Sequence, residues 1–148
     1  MSDLIALISR ILMSAVFIVY GYAKFMNVGS ILNNDGTKRF MSYLAQAGAV
    51  APGTAAPTWL GYLVAAIEVL GGIAILIGVK TRWVAWAFVI WIIIATSLGH
   101  PFWLLEGAAI GPNKANFYKN LAIMAAFLML AIHGPGRYSV DGRGTMPA

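Results

Sequence analysis

The sequence contains no cysteine. That excludes disulfides, thiolate nucleophiles, thiol relays and cysteine-ligated iron–sulfur clusters. It has two histidines, His100 and His133. They fall at opposite ends of the helices expected below, so they cannot share an iron or a zinc ion, and no metal site is expected. Glycine-rich nucleotide loops and a hydrolytic triad are missing; "GPGR" (134–137) follows an apolar run and reads as a helix stop. Charge is scarce, at 10% of 148 residues, against roughly 25% in soluble domains. The net charge of +5 is scattered and has no aromatic-interleaved basic patch, so nucleic acid is not an expected partner. Basic residues beside apolar spans face lipid headgroups instead.

What fills the chain is apolar: 60% of residues are hydrophobic. Such a chain cannot cover a water-facing surface, and an all-α integral membrane protein is the expected class. Four apolar runs, about 4–25, 59–79, 83–98 and 116–132, predict a single four-helix transmembrane domain over 1–148. The last two reach across roughly 30 Å of hydrocarbon only if their polar ends enter the membrane boundary. None alternates as a barrel strand would. The first run is read as a retained helix, not a cleaved signal. A tight turn, "VKTR" (79–82), joins the second and third runs. The long connections 26–58 and 99–115 fall on one side and are expected to form a partial lid; 133–148 is a polar tail. Within the lid, "TKRFMSYLAQAG" places Phe40, Tyr43, Leu44 and Ala47 on one face of a short interfacial helix.

The rare charges carry the functional reading. Glu68 interrupts "YLVAAIEVLGGIAILIG" (62–78), and intramembrane carboxylates are functional by default. Gly61, Ala65, Glu68 and Gly72 share one face of small residues, which permits close helix approach. Arg10, Ser14, Phe17, Gly21 and Lys24 share another. Counting rise from the long-loop side puts Glu68 about 7 Å above Arg10, within reach of an arginine. A buried Arg10–Glu68 ion pair is therefore expected; its alternative is an Arg10 that snorkels away and leaves Glu68 protonated. Lys24, His100, Asn116, Lys119 and Asn120 gather at the long-loop end with Tyr20 and other aromatics. They predict a polar, net-positive pocket with Glu68 as its floor and proton carrier. His100 is a second candidate proton carrier, and Lys24, Lys119, Asn120 and Tyr20 are candidate ligand-binding residues. Each also has a plainer role as an interface anchor, a helix cap or a member of an aromatic belt.

"RILMSAVFIVYGYAKF" (10–25), "EVLGGIAILIGVKTR" (68–82), "FYKNLAI" (117–123) and "GPGRYSVDG" (134–142) together resemble the DoxX family of small four-helix membrane proteins. The resemblance marks Arg10, Gly21, Lys24, Glu68, Gly71, Gly72, Lys119 and Asn120 as family-like positions, with Gly71 joining Gly21, Gly61 and Gly72 as a packing glycine. The family takes its name from a subunit of a thiosulfate:quinone oxidoreductase. The resemblance thus implies a component of a quinone-linked oxidoreductase system, with a quinone head or a small oxyanion as the ligand and no covalently bound cofactor. An alternative is a non-catalytic docking subunit held to a partner enzyme or to a second copy of itself. A third reading, a small-molecule or lipid transporter, lacks the inverted repeat and broken helices that such folds use. The basic turn and the resemblance place both termini in the cytoplasm of a cell with the chain in its inner membrane.

Overall fold

The computed structural model describes residues 2–145; Met1 and the 146–148 part of the expected tail lie outside the described residues. The chain runs through α1 (Ser2–Met26), α2 (Val28–Leu32), α3 (Asp35–Gln46), α4 (Thr58–Ile77), α5 (Thr81–Gly99) and α6 (Ile110–His133), with short 3-10 turns between and after the last two. No strand occurs among the described residues. α1, α4, α5 and α6 are long and apolar enough to cross a membrane. The protein is an all-α membrane bundle.

Two helix pairs make the bundle. α1 packs along α4, and α5 along α6. The first pair meets through small residues, as their spacing predicts. A Cβ on Gly21 would stand 2.9 Å from Cβ of Glu68, and one on Gly72 would stand 2.9 Å from Cγ1 of Ile18. Gly61 likewise abuts Val28 and Leu32 of α2, and Gly71 admits the Phe88 ring, 2.7 Å from where its Cβ would be. The two pairs join through three rings. Phe88 lies 4.3 Å from Phe17 and 4.8 Å from Phe127, centroid to centroid, and Phe17 meets Phe127 edge-on at 5.5 Å. These rings, with Ile75, Val89 and Ile92, form the bundle core.

The connections are more ordered than plain loops. α2 stacks on the top turn of α4, and α3 lies on the end of α5. Asn34 starts α3, its Oδ1 accepting from Thr37 N at 2.8 Å, the usual capping role of an asparagine. Arg39 donates to the Leu98 carbonyl at 2.9 Å and holds α3 to α5. In α3 Met41 is buried, Phe40 and Leu44 are half-buried and Tyr43 is exposed. Helix α6 starts at Ile110, about two turns before the expected 116. Pro112 lies in its first turn, where backbone N–H groups have no intrahelical acceptor and a proline costs no hydrogen bond.

Candidate functional site at the long-loop end

Register decides which charges meet. Because Gly21 abuts Glu68, Lys24 sits one turn above the carboxylate and Arg10 about 16 Å below it by helical rise. Lys24 Nζ donates to both oxygens of Glu68, at 2.5 and 2.7 Å. Glu68 is 5% exposed; the Lys24 side chain is 34% exposed. The expected Arg10–Glu68 pair does not form. The expectation aligned the upper ends of α1 and α4, whereas α4 extends past α1 to pack against α2 through Gly61.

Arg10 serves the other end of the bundle. It is fully buried and donates to the Leu76 carbonyl at 2.9 Å, to that of Ile75 at 3.4 Å, and to that of Tyr138. Ile75 and Leu76 belong to the last turn of α4, where intrahelical donors run out, Ile75 O keeping only the shared capping N–H of Gly78 at 3.2 Å, and where the helix dipole attracts a cation. The tail continues this clamp. Val140 N and Asp141 N bond the carbonyls of Ile77 and Gly78, and Asp141 accepts from Lys80 N at 2.9 Å and Thr81 N at 2.7 Å. Lys80 is in the left-handed conformation, φ 45°, and supplies no cap for α5; Asp141 supplies it from a distance of 60 residues. Burial works against the Asp141 charge, but the N–H and hydroxyl dipoles of Thr81, the Lys80 N–H and the Arg10 charge outweigh it, leaving the carboxyl below its ordinary pKa. The motif "GPGRYSVDG" is thus a structural clasp, and Asp141 is a residue that helical periodicity could not reveal.

A cavity of about 630 Å³ lies above the Phe17 ring at the long-loop end, within the usual range for small-molecule sites. Lys24 and Glu68 stand in its wall with Tyr20, His100, Lys119 and Asn120. The structure thus brings together all six candidate ligand and proton residues, and leaves Arg10 out. Their detailed partners differ. Asn120 Nδ2 donates to Thr96 Oγ1 at 2.9 Å and ties α6 to α5. His100 Nδ1 is 3.0 Å from Asn113 Oδ1. Lys119 is exposed and donates to Asn116 Oδ1 at 2.8 Å. Tyr20 borders the cavity while 63% exposed. Most of the remaining lining is apolar, from Val16, Leu60, Val64, Trp91 and Ile123 among others.

The expected surplus of positive charge is absent. The ionisable lining residues are two lysines, Lys24 and Lys119, and two carboxylates, Glu68 and Asp35, besides His100. Asp35 was missed because it opens α3, and only the folding of the lid brings that helix start to the rim. Among the described residues no group of three or more histidine or acidic side chains could hold a metal ion.

Comparison with known proteins follows the same outline. The DoxX family profile matches residues 5–101. The chain is 39% identical over 137 residues to the inner membrane protein YphA of Escherichia coli K12, covering 93% of this chain and 88% of that one. It is 35% identical over 141 residues to the inner membrane protein YqjF of the same organism, covering 95% and 92%. No solved structure matches.

Proposed function

The chain belongs to the DoxX family of membrane proteins, and on that premise we propose that it is the quinone-binding component of an inner-membrane oxidoreductase system. The observation that carries this reading is the Lys24–Glu68 pair set in the wall of a largely apolar cavity. A quinone head is flat, apolar at its faces and polar at two opposed oxygens. Lys24 and Asn120 offer donors to those oxygens, and the apolar lining suits the ring faces. Charge balance favours this neutral head over a small oxyanion, which would require unmatched cations. Reduction of a quinone takes two electrons and two protons. With a quinone bound and electrons drawn from a partner subunit, Lys24 would hold the quinone oxygen and Glu68 would pass on the protons. His100, at the rim, exchanges them with water. The termini, on the side of the basic turn, lie in the cytoplasm, so the cavity end faces the periplasm.

Thermal-shift titration of the purified protein tests the reading. Quinones should raise the melting temperature at low and high salt alike, and Lys24→Met should abolish the rise while Lys119→Met keeps most of it. A wild type that no quinone stabilises would overturn it. That outcome favours the second reading, a docking subunit, which has its own support: Lys24 alone bonds both carboxylate oxygens of Glu68. Orientation is tested separately by reporter fusions at Gly53 and at the C-terminus, expected in the periplasm and the cytoplasm respectively.

A further inference from the structure

The cavity lining reaches the outer surface of the bundle at Ile94 and Ala95 of α5, away from the head-group residues. α4 and α5 are tied together at the 79–82 turn, and the Phe88 ring against Gly71 closes the gap between them at mid-height. Above that level both helices line the cavity. Leu60, Val64 and Glu68 are spaced by four on α4; Trp91, Ala95 and Leu98 follow at helical spacing on α5. Each set is a single stripe along its helix. The α4 stripe descends about 12 Å from Leu60 to the carboxylate. The link between α2 and α3 crosses above as a lintel, with Ile31 and Phe40 also facing the cavity. Ile94 and Ala95 border the cavity and yet lie on the outer surface, Ile94 being 46% exposed. These helices are apolar enough to cross a bilayer, so that outer surface meets acyl chains.

We propose that the cavity opens here as a window through which an uncharged-headed amphiphile enters from the bilayer, leaving its hydrocarbon tail between α4 and α5 while its head reaches Lys24 and Glu68. The tail is the occupant that fits. Apart from Glu68, which is paired with Lys24, the two stripes are apolar; the other charged lining residues, Asp35 and Lys119, stand on the lid and on α6. A ligand arriving from water would have to pass the lid; one dissolved in lipid needs only to slide sideways. The inference uses the same cavity as the quinone reading and rests on it for the identity of the head alone.

The experiment uses the full chain in lipid nanodiscs and follows thermal unfolding with two matched pairs: decylubiquinone against its tail-less parent quinone, and monodecanoylglycerol against glycerol. Each buried methylene adds to affinity, so the tailed member should act at least about tenfold lower in concentration. Filling the window by Ala95→Phe, or independently by Leu60→Phe from the facing helix, should erase that advantage. Ile90→Phe, on the same outer surface but away from the cavity, should retain it. If monodecanoylglycerol alone behaves in this way, the window stands and the quinone head falls. If both quinones act equally, and equally on wild type and Ala95→Phe, the window falls and the quinone reading stands. If no compound acts on the wild type, both fall.

Discussion

The two ends of the bundle handle their charges differently. At the turn end, Arg10 and Asp141 bond main-chain groups: carbonyls of α4 and the tail on one side, N–H groups of the turn on the other. At the long-loop end Arg39 of the lid also bonds a carbonyl, that of Leu98, but around the cavity side chain meets side chain: Lys24 with Glu68, Asn120 with Thr96, His100 with Asn113. Main-chain partners cannot leave without unwinding a helix terminus. Side-chain partners can exchange by rotating about single bonds, at far lower cost. The same chain therefore fixes one end and keeps the other open to exchange, and the cavity lies at the exchangeable end.

Four substitutions, singly and in pairs, sharpen this contrast, taken from the largest effect to the smallest. Arg10→Met removes a donor from the carbonyls of Ile75, Leu76 and Tyr138 and the cation from the α4 terminus; a loss of about 3–5 kcal/mol is expected, read as thermal unfolding in detergent. Because Arg10 and Glu68 are far apart, the Arg10→Met and Glu68→Leu losses should add within about 0.5 kcal/mol. A strongly sub-additive pair would mean that the two ends are coupled. Lys24→Met leaves Glu68 buried without its partner, at about 2–3 kcal/mol. Adding Glu68→Leu should restore most of this, since an apolar pair leaves no charge to desolvate. A double mutant as weak as the single one would show that the pair is not the unit of stability at that end.

The smallest effect concerns the clasp. Asp141→Asn should cost about 1 kcal/mol at neutral pH, as the loss of a good helix cap does. The folded carboxyl is held below its ordinary value. Its contribution is therefore complete above the unfolded pKa of about 3.9 and disappears as pH falls through the lower folded value. Unfolding followed from pH 6 downward should show a steeper loss in the wild type than in Asp141→Asn below about pH 4. Parallel curves would mean that the Asp141 charge contributes nothing to the clasp.

Periodicity made much of this arrangement legible. The faces through Gly61, Ala65, Glu68, Gly72 and through Arg10, Ser14, Phe17, Gly21 are buried as their spacing requires, because a 3.6-residue repeat fixes angular position within one helix. It fixes nothing about axial offset between helices. The partner of Glu68 depends on how far α4 rises past α1, and that offset is set by α2, a five-residue helix too short to announce itself by pattern. Asp141 and Asp35 were illegible for a related reason. Each reaches its partners or the cavity only after a distant segment has folded back, and the polar tail around Asp141 resembles unstructured chain until Lys80 and Thr81 are seen to need acceptors.

The position of Glu68 has an electrical consequence. It lies ten residues into α4, about 15 Å of rise, or roughly half the hydrocarbon thickness. Paired with Lys24 it is neutral overall, and the resting pair feels little of the transmembrane field. Any single charge held at that depth would stand about halfway through the field, worth about 1 kcal/mol per 100 mV. Removing either partner of the pair would leave such a single charge, and the energy of the bundle would then depend on the membrane potential.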